Sequence, residues 1–224
     1  MPRPKHDAGL LTTKLRVCEI FFSLQGEAAR VGLPSVFIRL TGCPLRCTWC
    51  DTPYAFTGGE IMPLALILDK VRALPTRHVC VTGGEPLAQK NCLTLFTLLC
   101  DEGYDVALET SGALDIGGVD KRVARILDLK TPSSGEMEKN RWENLALLTQ
   151  KDEIKIVIAD RADYDWAAER IREHRLPTRC SVLLSPVQGA QNATELAEWI
   201  LADGLDVRFQ MQLHKLLWGN MQGK

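Results

Sequence analysis

The stretch Cys43-Pro44-Leu45-Arg46-Cys47-Thr48-Trp49-Cys50 carries the most information about the fold of this chain. It closely follows a strand-like segment from Val36 to Leu40. Its three cysteines are separated by three and then two residues, so their thiolates would converge on one small volume. Three thiolates leave a tetrahedral or cubic metal centre one protein ligand short. The spacing therefore predicts a metal centre with an open coordination position.

The other five cysteines do not extend this pattern. No Cys or His follows Cys50 at short spacing, whereas structural zinc sites are normally closed by a fourth ligand nearby in the sequence. A structural zinc knuckle nevertheless remains an alternative interpretation of the loop. The remaining cysteines lie among apolar residues and are predicted to be small core side chains: Cys18, Cys80, Cys92, Cys100 and Cys180.

The composition favours an intracellular protein that acts on a small molecule. Of the 224 residues 46% are hydrophobic, enough for one sizeable core, and the net charge is −1. Because nucleic-acid binding usually requires a basic surface, this charge argues against a nucleic-acid partner. The sequence has neither a charged-then-apolar leader nor a run of about 18 apolar residues, so we expect neither secretion nor a membrane span. Eight cysteines without a leader fit a reducing compartment, and we expect a cytoplasmic protein.

Short β-branched runs alternate with helical patterns, which lie at 64–74, 93–100 and 192–204. This alternation is typical of parallel strands joined by crossover helices. A closed eight-unit barrel takes about 250 residues, so we predict an α/β fold with an open, partial βα barrel. It would form one domain over residues 13–224, after a flexible segment over residues 1–12. The predicted strands are Val17 to Phe22, Val36 to Leu40, His78 to Thr82, Asp105 to Glu109, Ile126 to Leu129, Glu153 to Ile158, Ser181 to Leu184 and Asp206 to Met211.

Polar clusters follow the predicted strands, where functional groups of βα barrels collect. The strand from His78 to Thr82 runs into Gly83-Gly84-Glu85-Pro86, a tight glycine turn that would bring backbone groups and a carboxylate close to a ligand. Alone, each cluster is compatible with a solvated loop. Because all of them lie at the same end of one predicted sheet, we expect a binding site there. The other clusters are 109–112, 130–135, 185–188 and 210–215.

The cysteine spacing together with Gly-Gly-Glu-Pro resembles the radical S-adenosylmethionine (SAM) superfamily. The resemblance implies that Cys43, Cys47 and Cys50 hold three irons of a 4Fe-4S cluster, and that the fourth iron chelates SAM. It also implies a cluster in the loop after the first barrel strand. The residues that this resemblance assigns to SAM are Trp49, Cys50, Asp51, Gly84, Glu85, Glu109, Ser111, Ser133, Ser134, Gly135, Ser185, Pro186 and Gln188.

A narrower resemblance covers almost the whole chain, from about Cys18 to Lys215. Ser23-Leu24-Gln25-Gly26-Glu27, Arg39, Cys50-Asp51-Thr52 and His214-Lys215 are similar to the 7-carboxy-7-deazaguanine synthase family. The family converts 6-carboxy-5,6,7,8-tetrahydropterin to 7-carboxy-7-deazaguanine with loss of ammonia, in queuosine and deazapurine biosynthesis. The resemblance further implies Mg²⁺, a flavodoxin or ferredoxin as reductant, and a homodimer.

The family resemblance assigns roles to individual residues of this sequence. Arg39 would bind the substrate carboxylate, which suits a planar guanidinium, and Thr52 would be the magnesium ligand. The catalytic residues would be Arg39, Gln25 and His214. The residues assigned to the substrate are Leu24, Gln25, Gly26, Arg39, Thr82 and His214.

Several alternatives stay open at the level of sequence. Arg39 could pair with a core carboxylate, Thr52 could cap the Pro53 turn, and His214 could lie on the surface. Ala28 stands where the family usually has glycine. A glycyl-radical-activating enzyme shares the short cysteine spacing, and a non-catalytic metal-binding module would use the cysteines structurally.

Overall fold

The computed structural model describes residues 6–224, and their backbone is organised around one mixed sheet of nine strands. The strands are β1 (Lys14–Leu24), β2 (Pro34–Leu40), β3 (Glu60–Pro63), β4 (His78–Gly83), β5 (Asp105–Thr110), β6 (Ala124–Leu129), β7 (Glu153–Ile158), β8 (Ser181–Pro186) and β9 (Arg208–Phe209). The helices are α1 (Ala8–Thr12), α2 (Leu64–Arg72), α3 (Cys92–Asp101), α4 (Arg161–Glu173), α5 (Ala193–Asp203) and α6 (Leu213–Trp218).

The sheet is open and mostly parallel, as the sequence predicted. Its strand order is β3-β1-β2-β4-β5-β6-β7-β8-β9, and all pairs from β2 to β9 are parallel. In residues 6–224 the outer strands β3 and β9 do not pair with each other, so the barrel is incomplete. The cysteine loop, residues 43–50, follows β2, which is the first parallel strand. The predicted partial barrel with its cluster loop after the first barrel strand is confirmed.

The first part of the sheet departs from simple strand–helix alternation. The long strand β1 pairs antiparallel with β2 through its second half and with β3 through Lys14 to Val17. The sequence did not predict β3, because its four residues show no alternation and end in Pro63. It also missed α4, although Asp160 caps this helix by accepting a hydrogen bond from the Asp163 amide at 2.9 Å. The predicted strand from Asp206 to Met211 is reduced to the two residues of β9.

Crossover helices cover the outer face of the sheet and enclose the core. The predicted apolar face of α2 is confirmed, since Leu64, Ile67, Leu68 and Val71 are completely buried. Each such side chain contributes about 1.5–3 kcal/mol when it leaves water. In the part of the chain that is described, no helix is long and apolar enough to cross a membrane.

The predicted flexible segment over residues 1–12 stays a prediction. Its first five residues lie outside the described residues, and Ala8–Thr12 form the short helix α1. Asp7 caps this helix, because its carboxylate accepts a hydrogen bond from the Gly9 amide at 2.7 Å. The boundary between a tail and a domain at residue 13 is therefore also a prediction.

Candidate active site

The carboxyl ends of the parallel strands open into a cavity of about 690 Å³, which we call the site cavity. Its wall begins at the end of β1, passes the cysteine loop and the ends of β4 to β7, and finishes with α6 and the residues after it. The structure therefore brings most of the predicted site residues together. Those on the wall are Leu24, Gln25, Gly26, Arg39, Cys43, Cys47, Trp49, Cys50, Asp51, Thr52, Thr82, Gly84, Glu109, Ser111, Gln188 and His214.

Backbone contacts hold the cysteine loop against the next strand end. A Cβ atom on Gly84 would lie 2.3 Å from the Gly42 carbonyl oxygen and 2.8 Å from the Cys43 Cβ atom, so only glycine allows this approach. On the other side of the loop, the Thr48 amide donates to the Ser134 carbonyl at 3.0 Å. The loop is thus held between the turns after β4 and β6.

The donor set of the loop fits an iron–sulfur cluster with an open iron. Cys43, Cys47 and Cys50 all lie on the cavity wall and offer three thiolates, a number that leaves one iron of a 4Fe-4S cluster without a protein ligand. Beside them, the Trp49 Nε1 and Asp128 Oδ1 atoms are buried without a hydrogen-bond partner among the described residues. Since buried polar atoms are normally hydrogen-bonded, a polar molecule bound next to the cysteines would satisfy them. SAM is such a molecule.

The Glu85 side chain does not lie on the cavity wall, although the sequence assigned it to SAM. It is fully buried, and its carboxylate accepts hydrogen bonds from the Thr110 hydroxyl at 2.9 Å and from the Ser111 amide at 2.7 Å. It also accepts one from the Leu87 amide at 3.0 Å. Glu85 therefore ties the turn after β4 to the turn after β5, while Gly83 and Gly84 of the same turn reach the cavity.

Five other residues assigned to SAM are also absent from the cavity wall. Ser133, Ser134 and Gly135 form a turn behind the cysteine loop, where the Thr48 hydroxyl donates to the Ser133 carbonyl at 2.7 Å. Ser185 and Pro186 are buried at the end of β8, while Gln188 just beyond them reaches the wall. The Ser185 hydroxyl has no partner among the described residues, so it is the one of these five whose environment calls for a further ligand.

Gln25 and Thr82 converge on Glu109 at the floor of the site cavity. The Glu109 carboxylate accepts from the Gln25 side-chain amide at 3.2 Å and from the Thr82 hydroxyl at 2.8 Å. The amide oxygen of Gln25 accepts from the backbone N–H of Gly26 at 2.7 Å. Gln25 therefore shapes its own turn, and Glu109 lies with residues assigned to the substrate rather than with those assigned to SAM.

Arg39 pairs with a carboxylate, which was one of the alternatives left open by the sequence. Its Nε–H donates to Glu19 Oε1 at 2.7 Å, and its guanidinium carbon lies 5.8 Å from the ring centres of both Phe21 and Tyr54. Burial would lower the pKa of Arg39, but the hydrogen bond to Glu19 together with the nearby Tyr54 and Glu109 outweighs it, and the pKa is raised. The pKa of Tyr54 is raised to about 12, chiefly by burial, so its hydroxyl stays protonated. Arg39 also lines the cavity, so it both pairs with Glu19 and lies where a ligand would bind.

A set of buried and partly buried charges, whose pairing the sequence analysis missed, lines the cavity between Gln25 and the cysteines. The Lys155 ammonium forms an ion pair with Glu27 and lies 3.8 Å from Asp128, which in turn lies 3.1 Å from the Lys130 ammonium. Burial would lower the pKa of Lys155, but Glu27 and Asp128 together raise it, so Lys155 is a cation. The signal was available, since Asp128 and Lys155 each lie directly between two apolar residues of a strand.

His214 closes the cavity from the C-terminal side, rather than lying free on the surface. The Leu213 amide donates to the Gly26 carbonyl at 2.9 Å, which docks the start of α6 on the turn after β1. Burial lowers the pKa of His214 in spite of the nearby carboxylates of Glu27 and Asp51, so its ring is neutral at pH 7. Residues 219–224 complete this side of the wall.

Replacing Gly26 with alanine is expected to dislodge His214. The new Cβ atom would lie 2.1 Å from the His214 Nδ1 atom, so the ring and the start of α6 must move. Overpacking of this kind costs about 1–3 kcal/mol, which thermal or denaturant unfolding would measure. In a His214→Ala background the same change should cost less, because the ring is gone and only the 3.1 Å contact with the Cβ atom of residue 214 remains. An equal cost in both backgrounds would show that the Gly26–His214 contact is not the cause.

Comparisons with known proteins agree with this geometry. The family model of the radical SAM superfamily matches residues 37–200, which include the cysteine loop and most of the open barrel. The chain is therefore a radical SAM protein. The chain is 45% identical over 207 residues to the 7-carboxy-7-deazaguanine synthase of Chlorobaculum tepidum, covering 91% of this chain and 94% of that protein. It is 44% identical over 219 residues to that of Koribacter versatilis, covering 91% and 97%. The chain therefore belongs to the 7-carboxy-7-deazaguanine synthase family of radical SAM enzymes.

A solved structure supports the same fold. QueE from Escherichia coli superposes with a TM-score of 0.74 over 90% of this chain and 95% of that chain, at 24% identity. Both resemblances drawn from the sequence are thus confirmed. Family membership implies a 4Fe-4S cluster and SAM, and it favours this interpretation over a glycyl-radical-activating enzyme or a structural metal-binding module.

Proposed function

We propose that this chain converts 6-carboxy-5,6,7,8-tetrahydropterin to 7-carboxy-7-deazaguanine, with loss of ammonia. The observation that carries the proposal is that the three cysteines and Arg39 line one cavity in a member of this family. The cysteine loop would bind a redox-active iron–sulfur cluster, and the Arg39 guanidinium would bind the carboxylate of the substrate. The product would feed queuosine or another deazapurine.

At one end of the cavity Cys43, Cys47 and Cys50 would hold the cluster. When bound, the cluster and SAM supply the one-electron chemistry that starts the reaction. The residues of this chain orient SAM and exclude water. Support for a SAM site here comes from the close approach of Gly84 and from the unpartnered Trp49 Nε1 atom. Asp51, Ser111 and Gln188 are on the wall and would complete this side.

At the other end of the cavity the substrate would lie between Arg39 and His214. The terminal guanidinium nitrogens of Arg39 would bind its carboxylate in a bidentate manner. The turn of Leu24, Gln25 and Gly26 and the Thr82 hydroxyl would contact the pterin edge, with Glu109 fixing both groups. Fixing the ring in this way determines which carbon faces the SAM end, which is the catalytic contribution that positioning can make.

Thr52→Ala is expected to weaken the dependence of the enzyme on Mg²⁺. Thr52 lies on the cavity wall two residues after Cys50, and its hydroxyl is a hard oxygen donor of the kind that Mg²⁺ accepts together with substrate oxygens and water. Removing it should raise the Mg²⁺ concentration for half-maximal turnover on the order of tenfold. Titrating turnover with Mg²⁺ measures this. Thr57→Ala, an exposed threonine off the wall, serves as the control, and identical titrations for both variants would remove Thr52 from the metal site.

The reductant, the oligomeric state and the cellular compartment are proposed from the family and the composition. A flavodoxin or ferredoxin would deliver the electron, a homodimer would be the working unit, and the cytoplasm would be the compartment. We propose these from the family resemblance and the composition. Neither nucleic acid nor membrane is expected as a partner.

Anaerobic incubation tests the proposed function. Reconstituted protein would be mixed with SAM, Mg²⁺, dithionite and 6-carboxy-5,6,7,8-tetrahydropterin, and the products identified by mass spectrometry. We expect 7-carboxy-7-deazaguanine together with ammonia, and no turnover of the pterin that lacks the carboxylate. Bound zinc in place of iron, or pterin conversion that requires a second protein, would contradict the proposal.

A further inference from the structure

We propose that Glu19 is a positioning residue that holds Arg39 and the Thr52 turn in the geometry required to bind a carboxylate. The inference rests on the proposed function, because it assumes that Arg39 receives the substrate carboxylate. Glu19 itself is not part of the cavity wall, whereas Arg39, Thr52 and Tyr54 are. Its effect would therefore pass entirely through its neighbours.

One oxygen of Glu19 joins two segments of the site. Glu19 Oε1 accepts from Arg39 Nε at 2.7 Å and from the Tyr54 hydroxyl at 3.0 Å. Tyr54 belongs to the short turn Pro53–Phe56 that directly follows Thr52. The guanidinium on β2 and the turn carrying Thr52 are thus tied to a single atom, so their separation is fixed before substrate arrives.

The hydrogen bond to Glu19 also determines which N–H donors of the Arg39 guanidinium remain available to a ligand. Arginine has five N–H donors in a rigid fork, and Glu19 uses the one on Nε. The rings of Phe21 and Tyr54, each 5.8 Å from the guanidinium carbon, restrict its plane. Both terminal nitrogens make no hydrogen bond among the described residues, so the pair of donors that a bidentate carboxylate contact needs stays available.

A bulge in β1 brings Glu19 opposite Arg39. In the strand pair β1–β2, Val17 pairs with Leu40 and Glu19 pairs with Arg39, so the register shifts by one residue at Cys18. Without this shift Glu19 would lie opposite Ile38. Bulges that re-aim a side chain are frequent next to active sites. Directly opposed residues share one face of an antiparallel pair, and the ion pair follows from that register.

Equilibrium binding of two pterins separates positioning from folding. The probes are 6-carboxypterin and pterin, which differ only in the carboxylate, titrated by fluorescence against anaerobically reconstituted protein with SAM and Mg²⁺. We expect Glu19→Gln to weaken 6-carboxypterin binding about tenfold, as loss of a charge-assisted hydrogen bond implies, and to leave pterin binding unchanged. Glu60→Gln, an exposed carboxylate on β3, is the matched control and should bind both probes as the unaltered protein does.

The outcomes distinguish this inference from the proposed function. If Glu19→Gln still prefers 6-carboxypterin, the positioning role of Glu19 is wrong, whereas the proposed binding of the carboxylate by Arg39 stands. No preference in the unaltered protein would overturn the assignment of Arg39 and this inference with it. Equal loss for both probes would indicate a structural role for Glu19 instead. If Glu19→Gln does not fold, Tyr54→Phe is measured instead. We expect it to lose affinity for 6-carboxypterin but not for pterin. An unchanged preference for 6-carboxypterin would contradict the proposal.

Discussion

Replacing Cys47 with alanine is expected to abolish cluster binding and SAM cleavage together. Cys47 is the middle cysteine of the loop, and the two remaining thiolates would not hold a cluster whose fourth iron already lacks a protein ligand. Iron and sulfide content after anaerobic reconstitution should fall to background. Formation of 5′-deoxyadenosine after reduction with dithionite should fall with it.

A second cysteine variant shows whether this loss is specific. Cys100 lies on α3, away from the site cavity, so Cys100→Ala should keep its iron and its SAM cleavage. Its cost should be limited to about 1 kcal/mol of stability, the usual size of a point substitution. If Cys47→Ala still produced 5′-deoxyadenosine at the unaltered rate, the assignment of the cluster to this loop would be wrong.

Changing Arg39 to lysine should separate substrate turnover from SAM cleavage. Lysine keeps a positive charge but loses the planar fork and the Nε–H bond to Glu19. Hydrogen bonds to charged groups contribute about 1.5–3 kcal/mol each, so kcat/KM for the carboxylated pterin should fall about 10- to 100-fold. Uncoupled SAM cleavage should continue, because the cysteine loop is unchanged.

The comparison variant for this prediction is Arg77→Lys. Arg77 is exposed and contacts the Tyr104 ring outside the cavity, so its replacement should leave both activities unaltered. Unchanged pterin kinetics in Arg39→Lys would mean that Arg39 serves only its ion pair with Glu19. A parallel loss of SAM cleavage would mean instead that the substitution disturbs the cysteine loop.

The fold could be predicted from the sequence because its signals are local. The spacing of the cysteines, the period of α2 and the apolar runs of β4 to β8 are all contained within short windows. Where local signals were weak, the prediction was incomplete. The strand β3 exists because the first half of β1 extends past β2 and needs a partner, and nothing in the four residues of β3 indicates this.

The candidate site was predictable as a location but not as a set of contacts. Residues at strand ends were correctly expected to meet, yet sequence alone could not tell which groups would face inward. Glu85 follows the glycine turn as expected, but its carboxylate accepts hydrogen bonds from Thr110 and Ser111 at the end of β5 and does not reach the cavity. The ion pair of Glu27 with Lys155 joins the turn after β1 to β7, which are distant in sequence, and such pairings are set by topology.

The docking of α6 on the turn after β1 has a consequence for biosynthesis. His214 and Leu213 come late in the chain, whereas the Gly26 turn and the cysteines come early. On the ribosome, the cysteine loop is synthesised long before the segment that closes the site cavity. The site cavity therefore lacks its C-terminal wall until residues 213–224 have left the ribosome.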